Sequence, residues 1–272
     1  MSSLYPPGEA EAITRLLFHF YGGGDKSDFI RDPQKEISPE VQKKLNEALI
    51  KLLEHEPVQY IMGAVDFCGL KLSVSGAALI PRPETEELVW KIIHSISPEK
   101  KERILDIGTG TGCIPISIKY HRPLTRVYAI EKSEYALSLA MENSDKLNLP
   151  VLFRQMDFLL EENWKSLGQF DVLISNPPYI SQSEISTLDP NIVQHEPHLA
   201  LFVPDSDPLL FYKKIAQFSI HHLAENGNIW LEINSDLANE TRAIFSPEDY
   251  TTELLKDAFD NYRFLHVTRR FR

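Results

Sequence analysis

One stretch of the chain indicates its fold: residues 103–112, which read Arg103-Ile104-Leu105-Asp106-Ile107-Gly108-Thr109-Gly110-Thr111-Gly112. A short apolar run of this kind is typical of a buried strand, and the glycines after it allow a tight turn into a helix. Strand–turn–helix units build parallel sheets, and ligands bind in the crevice beyond the carboxyl ends of the strands. We therefore predict a strand at 103–107 that leads into a ligand-binding turn.

The rest of the chain after residue 100 continues this alternation. Buried apolar runs predict strands at 126–130, 151–155, 170–175 and 228–233. Helical spacing of apolar residues predicts helices at 113–120, 133–147, 208–223 and 237–245, and a closing strand pair is expected at 251–255 and 262–268. Alternating strands and helices predict an α/β fold with a mostly parallel sheet, covered by helices on both faces and ended by antiparallel strands.

Two helices and a hairpin are predicted ahead of this region. Apolar residues recur at helical spacing over 9–21 and 39–54, and Ser38 is the expected N-cap of the second helix. Short apolar runs between glycines predict a β-hairpin within 57–80. We divide the chain into a helical N-terminal domain for substrate recognition (1–62), a connecting hairpin and hinge (63–80), and an α/β domain (81–272).

The composition narrows the classes of function. The chain has 272 residues, of which 43% are hydrophobic, and 28 basic against 39 acidic side chains give a net charge of −11. An acidic chain repels phosphate backbones, so nucleic acid is a poor default partner. Two cysteines, Cys68 and Cys113, provide neither a disulfide framework nor a metal site, which favours the cytoplasm. We expect no membrane span, no metal and a monomer.

The glycine-rich turn at Gly108–Gly112 is the first candidate binding element. Its pattern lacks the third glycine of a dinucleotide site and the Gly-Lys-Ser/Thr of a phosphate-binding loop. Backbone amides in such a turn let a ligand lie against bare main chain. A tight turn that binds no ligand remains an alternative.

Two acids follow the next two strands. Glu131 ends the strand after the turn, where a carboxylate can accept hydrogen bonds from both hydroxyls of a ribose. Asp157 and Phe158 follow the third strand and suit an adenine amino group and ring, although a core Phe beside a surface Asp is equally consistent. Together with Asp106 for an ammonium group, these residues predict S-adenosylmethionine as the cofactor, bound by Asp106, Gly108, Thr109, Gly110, Thr111, Gly112, Glu131, Asp157, Phe158 and Asn176.

The fourth strand runs into Asn176-Pro177-Pro178-Tyr179. The Asn176 side-chain oxygen and the Pro177 carbonyl can each accept one hydrogen of a planar NH2 group, and Tyr179 can pack on its flat face. Two fixed acceptors orient a weakly nucleophilic nitrogen and stabilise the positive charge that develops on it. We predict that Asn176, Pro177 and Tyr179 are catalytic and that all four residues bind the substrate. A proline-rich loop that merely ends a strand is the alternative.

The chain resembles the peptide chain release factor glutamine methyltransferases of the PrmC/HemK family. Besides the glycine turn and the Asn176–Tyr179 motif, the resemblance rests on four segments: Glu56-Pro57-Val58-Gln59-Tyr60-Ile61-Met62-Gly63, Ile80-Pro81-Arg82-Pro83-Glu84-Thr85-Glu86, Glu196-Pro197-His198-Leu199-Ala200-Leu201-Phe202 and Leu231-Glu232-Ile233. It implies a Rossmann-like class I S-adenosylmethionine-dependent methyltransferase fold with a small helical N-terminal domain. It also implies N5-methylation of the glutamine in the Gly-Gly-Gln motif of class 1 release factors, which the N-terminal domain helps to grip.

Three other functions are weighed against this one. Adenine-N6 DNA methyltransferases share the Asn-Pro-Pro-Tyr motif, so methylation of an adenine or guanine amino group in nucleic acid remains open. A ribosomal-protein glutamine methyltransferase is a second alternative, although those enzymes look different at 80–86. A third is a non-catalytic protein that senses the cofactor or binds release factors. His195 and His198 are interpreted as parts of a structural loop, because Pro197 separates them from a metal-binding helical spacing.

Overall fold

The protein is represented by a computed structural model that describes residues 4–22, 31 and 36–270. Helix α1 spans Pro7–Gly22 and helix α2 spans Pro39–Leu53, close to their predicted bounds. The Ser38 hydroxyl accepts a hydrogen bond from the backbone amide of Val41 (3.3 Å), which satisfies one free donor at the start of α2 as predicted. The two helices share a small core of Ile13, Leu17, Ala48 and Leu52, against which the short helix α3 (Val58–Met62) packs.

The predicted hairpin consists of β1 (Ala64–Phe67) and β2 (Leu70–Ser73), which pair antiparallel. Alternate side chains of the hairpin, including Phe67 and Leu72, are buried in the same hydrophobic cluster as the helix that follows it. The backbone of Ser73 also exchanges two hydrogen bonds with the Asn143 side chain, at 2.7 and 3.0 Å. The hairpin therefore packs onto the α/β region, and the proposed domain boundaries stay a prediction.

A seven-stranded sheet forms the centre of the α/β region. Its strands are β3 (Arg103–Ile107), β4 (Arg126–Glu131), β5 (Leu152–Gln155), β6 (Phe170–Ser175), β9 (Leu223–Glu232), β10 (Tyr250–Lys256) and β11 (Tyr262–Arg269). The order across the sheet is β10-β11-β9-β6-β3-β4-β5; β11 pairs antiparallel with both β10 and β9, and every other neighbouring pair is parallel. The predicted mostly parallel sheet with antiparallel closing strands is confirmed. Strand β9 begins earlier than predicted because Leu223 already pairs with Phe170.

Helices cover both faces of this sheet. They are α4 (Pro83–Ser95), α5 (Cys113–His121), α6 (Glu134–Leu147), α9 (Leu210–His222) and α10 (Ala238–Ala243). Successive residues of β3 point to opposite faces: Ile104 joins a core with α4 and α5, whereas Leu105 joins a core with α9. This two-sided burial explains why the strands read as continuous apolar runs.

Between β6 and α9 the chain forms a long loop, residues 176–209. It contains a 3₁₀ turn at Gln182–Thr187 and two short helices, α7 (Pro190–His195) and α8 (His198–Leu201). The two-residue strands β7 (Ile180–Ser181) and β8 (Phe202–Val203) pair in parallel and close the base of this loop. Another 3₁₀ turn, Glu161–Ser166, lies between β5 and β6. A third 3₁₀ turn, Ser235–Leu237, follows β9.

Two glycines of the turn, Gly108 and Gly112, have similar φ angles but differ in how closely other atoms approach them. Gly108 and Gly112 have nearly the same left-handed φ angles, +79° and +80°. A Cβ atom at Gly108 would meet nothing within 4 Å, whereas one at Gly112 would lie 2.9 Å from Ile116 Cδ1 and 3.1 Å from Ala140 Cβ. The two positions therefore differ in crowding but hardly in φ.

We expect Gly108→Ala to lower the free energy of unfolding by about 1–2 kcal/mol, the cost of a left-handed conformation for alanine. Gly112→Ala is expected to cost about 1–3 kcal/mol more, because α5 and α6 must move apart. Urea denaturation of both variants without ligand measures the difference. Equal losses in the two variants would contradict the crowding at Gly112.

Candidate active site

Polar residues gather where the parallel strands end. Gly108 follows β3, Glu131 ends β4, Asn176 follows β6 and Glu232 ends β9. These strands run parallel, so all four residues lie along one edge of the sheet. The chain proceeds from β3 to β4 and β5 on one side and only then to β6 on the other. The resulting crevice at the β3–β6 boundary is the usual ligand site of such sheets.

Two adjoining cavities occupy this crevice, each with a volume of about 190 Å³. The first lies over the glycine turn and the ends of β4 and β5. The second lies beyond Asn176, toward the long loop, and is lined by Arg82, Tyr179, Ile192 and Glu232 among others. Both cavities are lined by Leu79, Asn176, Pro177 and Ala200. Asn176 and Pro177 therefore stand at the junction between the two spaces.

Most of the predicted site residues line the first cavity: Gly108, Thr109, Gly110, Thr111, Glu131, Asp157, Phe158, Asn176, Pro177 and Pro178. Tyr179 lines the second cavity instead. Asp106 and Gly112 are not among the described residues that line either space. The structure thus brings the predicted residues to one edge of the sheet, while their individual roles stay predictions.

Asp106 lies beneath the first cavity and is completely buried. Neither carboxylate oxygen makes a hydrogen bond of good geometry to the described residues, although the nearby Thr109 hydroxyl opposes the rise in the pKa of Asp106. Burial raises the pKa of Asp106 from its ordinary value of 3.8 to about 7. An unpaired buried carboxyl group is costly, and such groups are concentrated at functional sites.

The other two predicted acids are already engaged with the backbone. Glu131 accepts hydrogen bonds from the amides of Gly110 (3.0 Å) and Ser133 (2.9 Å), so it holds the glycine turn against the end of β4. Its oxygens retain further lone pairs for a ligand. Asp157 forms an ion pair with Lys132 (2.9 Å) and accepts a hydrogen bond from the Leu159 amide (3.0 Å).

Phe158 has two sets of neighbours. Its ring packs against Trp164 and Phe218 with ring centroids 5.4 Å apart in each pair, and the residue is largely buried. It also lines the first cavity beside Asp157. Phe158 is therefore both a core residue and part of the cavity wall.

Asn176 is the first member of a buried series of hydrogen-bonded side chains that no sequence motif indicated. The Asn176 Nδ2 atom lies 3.0 Å from Thr85 Oγ1, and Thr85 Oγ1 lies 2.7 Å from Glu232 Oε2. The Tyr179 hydroxyl lies 3.5 Å from the other oxygen of Glu232. Glu232 could have been found from sequence, because it ends a strand just as Glu131 does. Thr85 carried no signal apart from its place in the 80–86 segment.

Burial also governs the charge of Glu232. It raises the pKa of this carboxyl group to about 7, against the lowering effects of the Thr85 hydrogen bond and of Arg263. The Glu84 carboxylate raises the pKa further. Burial likewise raises the pKa of the neighbouring Tyr179 hydroxyl, so Tyr179 is uncharged at neutral pH. Glu232 is the group of this network that changes charge near neutrality.

The long loop is fastened over the crevice by a buried carboxylate. Glu196 forms an ion pair with Arg82 and accepts a hydrogen bond from the amide of Ile80 (3.3 Å). His195 lies 2.9 Å from the carbonyl oxygen of Glu54, at the end of α2, and the Tyr60 hydroxyl donates to the carbonyl of Ala78 (2.7 Å). The cavity wall is thereby tied to the N-terminal helices.

Two family models match the chain: the PrmC N-terminal domain over residues 6–63 and the methyltransferase small domain over residues 89–198. A release factor glutamine methyltransferase of Bacteroides thetaiotaomicron is 36% identical over 270 residues, which cover 99% of this chain and 96% of that protein. The enzyme of the same name from Streptococcus pneumoniae is 38% identical over 95% of this chain and 91% of its own length. The chain belongs to the release factor glutamine methyltransferase family.

Solved structures agree with the fold of the family. A methyltransferase from Pyrococcus furiosus superposes with a TM-score of 0.54 at 18% identity, covering 85% of this chain and 98% of that one. A ribosomal protein L11 methylase from Lactobacillus delbrueckii gives a TM-score of 0.52 at 18% identity, covering 72% and 83%. The expected class I methyltransferase fold is confirmed.

The described residues contain neither a candidate membrane span nor a metal-binding cluster. Over 4–22, 31 and 36–270, no helix is long and apolar enough to cross a membrane. Within the same residues, no cluster of three or more His, Cys, Asp or Glu side chains is arranged to hold a metal ion.

The buried Asp106 makes the stability of the unliganded protein dependent on pH. Between about pH 4 and pH 7 the folded protein retains a proton that the unfolded chain releases, so this group lowers stability as the pH rises through that window. Asp106→Asn removes the effect. We expect the variant to melt about 5 °C above the wild type at pH 8 and to lose this advantage near pH 4.

Scanning calorimetry from pH 4 to pH 8 without ligand measures the difference. Asp145→Asn, at an exposed position of α6, changes the net charge equally and should leave the pH dependence unchanged. A melting difference for Asp106→Asn that does not vary with pH would contradict the raised pKa.

Proposed function

We propose that this protein transfers a methyl group from S-adenosylmethionine to the side-chain amide nitrogen of a glutamine in a peptide chain release factor. The observation that best supports this proposal is that Asn176 and Pro177 line both cavities and so lie at their junction. One cavity is suited to the methyl donor and the other to an amide side chain. In its fuller form, the proposal specifies the N5 atom of the glutamine in the Gly-Gly-Gln motif of class 1 release factors.

The residues of the first cavity fit the proposed cofactor. Glu131 ends β4 with lone pairs available to the ribose hydroxyls, and Asp157 and Phe158 line the space for the adenine. Asp106 lines neither cavity, but it precedes Ile107 and Gly108 of the first cavity, and an ionised carboxylate buried there favours the ammonium group of an amino acid electrostatically. A Cβ atom at Gly108 would meet nothing within 4 Å and one at Gly110 would lie 4.0 Å from Ala78 Cβ, so there is open space beside the turn.

The second cavity fits the methyl acceptor. A glutamine amide is a weak nucleophile because its nitrogen lone pair is delocalised over the carbonyl group. The Asn176 side-chain oxygen and the Pro177 carbonyl can each accept one of its hydrogens and hold the nitrogen at the junction. Tyr179 lines the same cavity and supplies a flat apolar surface for the amide plane.

These residues act by orientation and electrostatics. The bound cofactor supplies a methyl group on a positively charged sulfur atom. Asn176 and Pro177 align the acceptor nitrogen with the first cavity and stabilise the positive charge that grows on it. The long loop is fastened by Glu196 to Arg82, and its residues Pro197 and Ala200 form part of the cavity wall.

We assign recognition of the release factor in part to the N-terminal helices. Helix α2 exposes Leu49, Ile50 and Leu53 on its surface, with Ile50 60% exposed. Exposed apolar side chains grouped on one helix are typical of a surface that contacts another protein. The hydrogen bond between the His195 ring and the backbone carbonyl of Glu54 connects the end of this helix to the long loop beside the second cavity.

Asn176→Ala tests the proposed chemistry. The variant loses one of two fixed acceptors, so we expect its turnover to fall by about 10²–10³-fold, as when a preorganised hydrogen-bonding group is removed from other active sites. Its affinity for S-adenosylmethionine should change much less. Mass spectrometry of a recombinant class 1 release factor, after incubation with enzyme and donor, locates and counts the methyl groups.

The same assay separates the alternatives. A single methyl group on the Gly-Gly-Gln glutamine, lost in Asn176→Ala, supports the proposal. Methylation of DNA or RNA in parallel incubations would instead identify a nucleic-acid amino-methyltransferase, and modification of a ribosomal protein would identify that second class of glutamine methyltransferase. Cofactor binding without transfer to any of these substrates would indicate a non-catalytic protein.

A further inference from the structure

Three side chains from three separate parts of the fold form a continuous hydrogen-bonded chain. Asn176 follows β6, Thr85 lies in the first turn of α4 and Glu232 ends β9. Thr85 and Glu232 are each only 2% exposed, so water does not compete for these contacts. Asn176 is the one member of the three that lines both cavities.

Counting hydrogens fixes the direction of every bond in this chain. Above pH 7 the Glu232 carboxylate is ionised and can only accept hydrogen bonds. The Thr85 hydroxyl, 2.7 Å away, must therefore donate its single hydrogen to Glu232. Its oxygen is then left to accept, and the group 3.0 Å away on Asn176 must be the NH2.

The direction of the chain decides what Asn176 presents to the substrate. With its NH2 group held by Thr85, the amide directs its Oδ1 atom away from Thr85. That oxygen has no hydrogen-bond partner among the described residues, and it is not among their buried unpaired atoms. It is thus available to a hydrogen-bond donor from outside the protein.

We propose that Thr85 and Glu232 are positioning residues that lock the Asn176 amide with its oxygen toward the acceptor nitrogen. The inference rests on the proposed methyl transfer to an amide, because only an NH2 acceptor needs an oxygen at this point. An amide that turned over would present its own NH2 to the NH2 of the substrate, and two donors repel. Thr85 lines the first cavity and Glu232 the second, and the role proposed for both is exerted through the orientation of Asn176.

Tyr179 and Arg263 complete the surroundings of Glu232. The Tyr179 hydroxyl approaches the second carboxylate oxygen at 3.5 Å, and Arg263 favours the ionised form of the carboxyl group. The Glu84 carboxylate disfavours ionisation of Glu232. The Tyr212 hydroxyl donates to the backbone carbonyl of Glu232 (3.2 Å) and not to its carboxylate, which accepts hydrogen bonds from Thr85 and Tyr179. An assay at pH 8, above the pKa of about 7, keeps Glu232 ionised.

Thr85→Val removes the hydroxyl and preserves the shape of the side chain. At pH 8 we expect kcat for release factor methylation to fall by about 10- to 100-fold, because the acceptor group is no longer held in one orientation. The Kd of S-adenosylmethionine, measured by calorimetry, should stay within about threefold, because valine keeps the side-chain volume where Thr85 lines the first cavity. The matched control Thr85→Ser keeps the hydroxyl and should retain kcat within about threefold of the wild type.

A double variant distinguishes positioning from a general structural role. In the Asn176→Ala background the amide is absent, so adding Thr85→Val should change kcat less than about twofold. If Thr85→Val reduces kcat by the same factor in both backgrounds, the inference is wrong. It is equally wrong if folded Thr85→Val has wild-type kcat. A wild-type enzyme that fails to methylate the release factor would refute the proposed function instead, so the two failures are distinguishable.

Loss of the hydroxyl leaves Glu232 without its closest partner, which can prevent folding. Thr85→Val/Glu232→Met replaces both polar groups with apolar side chains of similar shape and should restore the folded state. We expect kcat to remain about 10- to 100-fold low in this variant, because Asn176 is still unheld. Recovery of wild-type kcat would overturn the inference, since Thr85 would then serve only to satisfy Glu232.

Discussion

Residues 104–106 of β3 pair in parallel with residues 172–174 of β6, and the position of the site depends on this pairing. Parallel strands bring their carboxyl ends to one edge, so the glycine turn after β3 and the Asn176 motif after β6 become neighbours although about 65 residues separate them. The Ser175 hydroxyl strengthens the contact by donating to the Ile107 carbonyl at 2.7 Å. The two cavities then meet where the two strands end.

Two buried carboxyl groups, Asp106 and Glu232, lie on either side of this boundary. Burial raises the pKa of each to about 7, so both reduce the stability of the folded chain at neutral pH. Their surroundings differ: Glu232 accepts hydrogen bonds from Thr85 and Tyr179, whereas Asp106 makes no hydrogen bond of good geometry to the described residues and only Thr109 opposes the rise in its pKa.

The loop between β6 and β9 connects the catalytic edge to the N-terminal helices. Glu196 fastens it to Ile80 and Arg82, and His195 reaches the end of α2. The hairpin also packs into the core of the α/β region through Phe67 and Leu72. A protein substrate bound by the helices would therefore meet a wall that is already fixed relative to the cavities.

The fold could be predicted from local sequence because its signals are local. Apolar runs gave the strands, helical spacing and the Ser38 cap gave the helices, and most bounds agree within a few residues. The Asn176–Tyr179 motif and the strand-end acid Glu131 also carry their chemistry in their residue types. These features depend on neighbours along the chain, which a single sequence contains.

The tertiary structure decided the relations between distant residues. Thr85 and Glu232 are 147 positions apart, and no local pattern indicates that they share a hydrogen bond. The same holds for Glu196 with Arg82 and for the burial of Asp106, because burial and pairing depend on how elements pack. The sequence by itself determined the strands, the helices and the reactive motif. Only the packing of α4 and β9 behind that motif determined which atom Asn176 turns toward the substrate.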